Sequence, residues 1–113
     1  MDKKAKSGLG EDAVVSVLMI TYNHERFIRQ AVESVMMQET DFPYELVIGE
    51  DCSTDGTRAV LLELRDRYPG RIRLLLHERN IGAHRNFELT MDACRGRYVA
   101  ILEGDDYWTR PTK

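Results

Sequence analysis

The chain has 113 residues, of which 42% are hydrophobic and 31% charged, with 3 prolines and 8 glycines. That length suits one domain, and the composition is that of a soluble globular chain rather than a disordered or fibrous one. The 16 Lys+Arg against 19 Asp+Glu leave a formal net charge of -3, which argues against a broad basic surface for nucleic acid.

The longest mostly apolar run, Ala13 to Ile20, is too short to cross a bilayer as a helix. The early lysines lead into Ser7-Gly8-Leu9-Gly10 and not into the apolar core of a secretory signal. Cys52 and Cys94 cannot build a disulfide framework and read as reduced thiols, so a cytoplasmic setting is expected. For a longer parent protein, that setting extends to the inner face of a membrane.

Residues 1–13 are polar and glycine-spaced without an apolar period, and are expected to form a flexible leader before a domain spanning 14–113. Val14 to Ile20 is apolar and β-branched at nearly every position, the pattern of a strand covered on both faces. It ends in the polar turn Thr21-Tyr22-Asn23-His24. Phe27, Ile28, Ala31, Val32, Val35 and Met36 then recur at helical spacing. They predict a helix over about Glu25 to Gln38, with Asn23 or His24 placed to cap its start. A second buried strand, Tyr44 to Gly49, runs into the polar loop Glu50 to Thr57. The helix that begins near the end of this loop carries Val60, Leu61, Leu64 and Tyr68 inward and stops before Pro69-Gly70. A third strand covers Ile72 to His77. After the turn Arg79-Asn80-Ile81-Gly82, a third helix carries Phe87, Met91 and Cys94 and stops at Gly96. A fourth strand, Tyr98 to Leu102, ends at Glu103-Gly104-Asp105-Asp106-Tyr107-Trp108. Strand and helix alternate three times before a final strand, so parallel neighbours joined by right-handed crossovers are expected, in an α/β sheet with helices on both faces.

Ligands of open parallel sheets settle outside the carboxyl ends of the strands, where strand order reverses. That rule selects Thr21 to Asn23, Glu50 to Asp55, Arg79 to Arg85, and Glu103 to Asp106. The last is the strongest feature. Its adjacent carboxylates repel one another unless a cation sits between them, and oxygen ligands of this kind suit Mg²⁺ or Mn²⁺. A solvated turn with Asp105 capping the next segment is the plain alternative. Asp51, at a strand end, is placed to accept a hydrogen bond from the ring N–H of a base. Asp55 as an N-cap and Ser53 bridging the turn account for most of the remaining loop. Tyr22 either stacks on a base or fills the edge of the core. Arg85, in a segment with Asn80 and Gly82, either reaches a phosphate or is an ordinary charge at a helix start.

Other chemistries are disfavoured. His24, His77 and His84 lack metal-ligand spacing, and Cys52 has no basic sequence neighbour to activate it. There is no Gly-x-Gly-x-x-Gly after the first strand and no Gly-Lys-Ser/Thr loop, which disfavours dinucleotide and P-loop sites. A phosphotransfer receiver would need a late lysine, and none lies between Lys6 and Lys113.

Four blocks together resemble the family 2 glycosyltransferases, in family order and spacing across Val14 to Pro111. They are Val15 to Asn23, Glu50 to Thr57, Asn80-Ile81-Gly82, and Leu102 to Trp108. The resemblance implies a GT-A fold, a Rossmann-like three-layer α/β/α sandwich with a mostly parallel sheet, here truncated after its fourth strand. It implies transfer of a sugar from a nucleotide-diphosphate donor, usually UDP-linked, to an acceptor hydroxyl on a glycan or other molecule, with inversion, as in polysaccharide biosynthesis. In family terms Thr21, Tyr22, Asn23 and Glu25 border the nucleotide, and Asp51 pairs with the base beside Ser53. Asn80, Gly82 and Arg85 complete the nucleotide side. Asp105 meets the ribose and, with Asp106, the diphosphate held by Mg²⁺ or Mn²⁺. The family signature is commonly Asp-x-Asp-Asp. Here Glu103 and Gly104 precede the two aspartates, which leaves both Asp105 and Asp106 as metal candidates. No carboxylate matches the family's catalytic base, which is expected beyond Lys113, so the chain is expected to be the donor-binding half of a longer protein. The alternative is a catalytically incomplete nucleotide-binding module, or one that self-associates as a homodimer through an exposed sheet edge.

Overall fold

A computed structural model describes residues 14–107; the expected leader, and Trp108 onwards, lie outside the described residues. The strands are β1 (Val15–Thr21), β2 (Tyr44–Glu50), β3 (Ile72–Leu76) and β4 (Tyr98–Ile101). The helices are α1 (Ile28–Met36), α2 (Thr57–Arg67) and α3 (Ala83–Ala93). All neighbouring strands pair in parallel, in the order β3-β2-β1-β4. The parallel α/β sheet with helices on both faces expected from the sequence is therefore the one observed.

The strand period of two divides the core. Val17 and Met19 of β1 and Leu46 and Ile48 of β2 pack with Ile28, Val32 and Val35 of α1 and Leu61 and Leu64 of α2. The alternate residues Leu18 and Val47 are fully buried beneath α3, which lies over β1 and β2 on the opposite face. Burial on two faces is why these strands are apolar at almost every position. Each such side chain contributes roughly 1.5–3 kcal/mol by leaving water.

Two helices depart from expectation. The first begins only at Ile28, because the His24 carbonyl accepts the N–H groups of both Phe27 and Ile28 at 2.8 Å and holds residues 24–27 in a turn. Neither Asn23 nor His24 caps it with a side chain. The buried face of α3 is made by Asn86 and Thr90, whereas Phe87, Met91 and Cys94 are only partly buried. The reason is Gly49. A Cβ there would lie 2.1 Å from Thr90 Oγ1 and 2.2 Å from Asn86 Oδ1, so the bare glycine lets the helix approach the strand. Asn86 Nδ2 donates to the Gly49 carbonyl at 3.0 Å, and its Oδ1 lies 2.8 Å from His77 Nε2. A polar seam thus replaces apolar packing.

At the amino-terminal edge of the sheet, Glu45 is 1% exposed. Its carboxylate accepts from the Ser16 hydroxyl, from Arg73 Nη1 at 2.8 Å and from the Arg95 N–H at 2.7 Å. Arg73 also donates to the Ala93 carbonyl, and Ser16 Oγ accepts from the Gly96 N–H. This network ties the end of α3 and the approach to β4 onto β1, β2 and β3. Burial, with the nearby Glu45 charge, pushes the Cys94 thiol above its ordinary range. At the outer edge, β4 exposes Tyr98 (63%) on one face and Ile101 (56%) on the other. No helix among the described residues is long and apolar enough to cross a membrane.

Two substitutions test this packing by thermal unfolding followed by circular dichroism. Gly49→Ala should cost about 1–3 kcal/mol through overpacking, and an unchanged Tm would contradict the close approach of α3. Glu45→Gln should cost about 3 kcal/mol, the low end for breaking a buried ion pair because Arg73 partly reaches water. A Tm within a degree or so of the parent's would show that the network contributes little.

Candidate functional site

Parallel pairing puts every strand's carboxyl end on one edge of the sheet. The chain builds outward from β1 through β2 to β3, then crosses to place β4 on the other side of β1. Strand order therefore reverses between β1 and β4, the position at which such sheets open a crevice. A cavity of about 320 Å³ lies at this edge. Five of the residues expected to contact a nucleotide line it: Thr21, Tyr22, Asp51, Asn80 and Gly82. Ile20, His24, Ala83, Asn86 and Glu103 complete the wall.

Asp51 is 3% exposed, and both carboxylate oxygens are engaged. Oδ1 accepts the Ile81 N–H at 2.8 Å and Oδ2 the Gly82 N–H at 3.0 Å. Gly82 has φ +92, a backbone region that favours glycine and here lets the chain turn into α3. The Asp51 charge also faces the positive end of the α3 dipole. Each oxygen accepts one hydrogen bond in this arrangement and retains a second lone pair for a donor in the cavity. Asn80 Nδ2 donates to the Asp51 carbonyl at 3.1 Å. Glu50, beside it, is structural: it is wholly buried, takes Arg58 Nε at 2.7 Å and accepts the Ser53 N–H at 2.8 Å.

The loop after β1 is bound to the loop after β2. Asn23, at φ +56, turns its side chain toward Thr54 and Asp55, and its N–H donates to Ser53 Oγ at 2.9 Å. Glu25 Oε1 accepts the Gly56 N–H at 2.9 Å, and the Glu25 N–H donates to Asp55. Burial acts upward on the Asp55 carboxyl, but hydrogen bonds from Thr57 and Glu25 outweigh it and hold it below its ordinary range. Stability contributed this way is present above the ordinary carboxylate range and is lost as pH falls through the lowered value. Asn23, Glu25 and Ser53 are thus brought together, but they do not line the cavity.

The loop after β4 is seated on β1. The Gly104 N–H donates to the Ile20 carbonyl at 3.1 Å, and a Cβ at 104 would lie 2.6 Å from Thr21 Oγ1 and 2.9 Å from His24 Nδ1. His24 Nδ1 is 2.8 Å from Thr21 Oγ1, and its Nε2 is 3.8 Å from Asp105 Oδ2. Asp105 and Asp106 are exposed, at the same edge as Asp51 but outside the cavity wall. Among the described residues no group of three or more His, Cys, Asp or Glu gathers to hold a metal. Two exposed carboxylates do not fit an all-protein cage. They do fit a Mg²⁺-like ion, which takes one or two carboxylates and fills its remaining positions with water and phosphate oxygens. Arg85 is exposed, 3.4 Å from Glu88, and is not part of the wall.

Sequence reasoning missed His24 and Asn86. His24 has no metal-ligand spacing to draw notice, yet it packs between two loops. Asn86 could have been found from its place four residues before Thr90, a polar pair on one helix face opposite a strand glycine.

Residues 16–112 match the model of the family described as Glycosyl transferase family 2. The uncharacterized protein Rv1520 of Mycobacterium tuberculosis is 46% identical over 99 residues, which cover 88% of this chain and 29% of that protein. The crystal structure of S. aureus TarS 1-349 in complex with UDP-GlcNAc aligns with a TM-score of 0.71 at 30% identity, covering 82% of this chain and 27% of that one. Mannosyltransferase PcManGT from Pyrobaculum calidifontis, in complex with GDP-Man and Mn²⁺, has a TM-score of 0.77 at 21% identity, covering 97% of this chain and 32% of that one. This last likeness concerns the fold alone. The chain spans under a third of the length of each of the three proteins. With a family match running from the second residue of β1 past the acidic loop after β4, the chain belongs to glycosyl transferase family 2.

Proposed function

We propose that this chain is the donor-binding part of a glycosyltransferase that passes a sugar from a nucleoside diphosphate, UDP-linked, to an acceptor hydroxyl with inversion. The observation that carries the reading is the shared edge. Asp51 sits in the cavity wall with free acceptor capacity, and the Asp105-Asp106 pair lies at the same carboxyl ends. The UDP-GlcNAc complex of TarS supports a uridine donor, and the adjacent exposed carboxylates of Asp105 and Asp106 support a divalent ion.

In this reading the base enters the cavity, gives its ring N–H to Asp51 and lies against the Tyr22 ring. The diphosphate extends toward the β4 loop. Asp105 and Asp106 would hold Mg²⁺ or Mn²⁺ there, which when bound stabilises the charge of the departing diphosphate. Gly104 and His24 seat that loop on Thr21, so the carboxylates are presented from a fixed turn. The proton of the acceptor hydroxyl goes to a general base that we assign to none of the described residues.

Calorimetric titration with UDP-, GDP- and dTDP-sugars, with Mn²⁺ and then with chelator, tests this. Affinity should favour the uridine donor and fall by about tenfold or more on chelation, equivalent to roughly 1.4 kcal/mol. Asp105→Asn with Asp106→Asn should reproduce that fall without lowering Tm. Equal binding with and without chelator removes the metal, and no binding of any nucleotide removes the reading.

The exposed apolar residues of β4 favour a second reading, in which the chain self-associates through that edge. Sedimentation velocity across a concentration series should then show a dimer, and a monomer throughout rejects it.

A further inference from the structure

The family resemblance places Asn23 and Glu25 beside the nucleotide, but their hydrogen bonds run elsewhere. Asn23 Oδ1 accepts three donors: the Thr54 N–H at 2.8 Å, the Thr54 hydroxyl at 3.3 Å and the Asp55 N–H at 3.3 Å. An amide oxygen has two lone pairs, so this acceptor has no capacity left for a ligand. The Asn23 N–H goes to Ser53, the His24 N–H to Thr57 Oγ1 at 2.9 Å, and the Glu25 N–H to Asp55 at 3.2 Å. The Gly56 N–H returns to Glu25. Three consecutive residues after β1 are therefore stitched to five consecutive residues after β2.

We infer that Asn23 is a positioning residue whose side chain clasps these two loops and so sets the gap between Tyr22 and Asp51, the walls between which a base would lie. The inference rests on the nucleotide reading above and deepens it. Tyr22 immediately precedes the clasp, and the Asp51 N–H donates to the Thr21 carbonyl at 3.1 Å, so both walls hang from the same two loops. The left-handed backbone at residue 23, φ +56, selects Asn, Asp or Gly. Of these, only Asn and Asp bring an acceptor to the Thr54 and Asp55 N–H groups. If the acceptor is lost, the loops sample wider separations. The binding-competent gap is then a smaller fraction of the population, and apparent affinity falls by that fraction.

The available residue set provides a clean experiment. Asn23→Gly keeps the backbone and removes the acceptor; Asn23→Asp keeps the acceptor and removes the amide NH₂. Uridine and UDP are titrated calorimetrically into the 113-residue chain and both variants, with and without Mn²⁺. Asn23→Gly should weaken uridine and UDP alike by roughly tenfold while leaving the Mn²⁺-dependent gain for UDP unchanged. Asn23→Asp should stay within about twofold of the parent, since its carboxylate offers the same acceptor at a position that tolerates Asp. Equal losses in both variants would mean a direct amide contact with the ligand and overturn the inference, as would equal affinities in all three chains. Amide hydrogen exchange at Thr54 and Asp55 gives a readout independent of ligand, expected to quicken in Asn23→Gly and not in Asn23→Asp. A parent chain that binds no uridine sinks the nucleotide reading. Unaltered exchange in Asn23→Gly sinks the clasp whether or not uridine binds.

Discussion

The position of β1 between β2 and β4 governs the rest of the molecule. A parallel strand delivers its carboxyl end to the same edge as its neighbours, and among the described strands β1 is the one at which the order reverses, with β2 on one side and β4 on the other. Its outgoing loop must therefore meet the loop after β2 on one flank and the loop after β4 on the other. Thr21 illustrates the consequence: its carbonyl takes the Asp51 N–H, and its hydroxyl packs beneath Gly104. A set of functional side chains can be presented here because the crevice arises from topology, before any ligand is considered.

Buried carboxylates hold the two edges of this sheet, and β2 supplies most of them. Glu45 at its start and Glu50 at its end are both sequestered from water, each beside an arginine that is only partly covered. Such pairs are weak sources of net stability, because desolvation offsets much of the Coulomb attraction. Their directional hydrogen bonds still determine which backbone groups meet. Glu45 fixes the segment entering β4, and Glu50 fixes the first turn of the loop that carries Asp51. Asp51 continues the series with a difference. Its two backbone donors fix the start of α3 and leave each oxygen one lone pair, so a side chain in the cavity wall is a strut with acceptor capacity to spare.

Much of this was legible in the sequence, for a physical reason. β1 and β2 announce themselves through unbroken apolar runs because both faces are covered, and their alternation with helical periods implies parallel pairing. The four loops that converge could be picked out by the rule that ligands gather at carboxyl ends, and Tyr22, Asp51 and Asn80 do share one cavity. The helix starts were harder. Asn23 has the chemistry of an N-cap and stands where one belongs, yet its oxygen is claimed by amides from a loop about thirty residues away. Local capping propensity lost to a tertiary competitor. In the same way the apolar residues of α3 suggested an apolar inner face. Gly49 instead allowed so close an approach that the small polar side chains Asn86 and Thr90 occupy the contact.

The amino-acid sequence by itself determined the strand and helix order, the parallel sheet and the end of it at which the polar loops converge, because these arise from local periodicity and chain connectivity. Tertiary structure alone decided which polar residues face the cavity and which are consumed in holding it open. A hydrogen-bonding group has few lone pairs, and whichever partner the fold brings within about 3 Å takes them first.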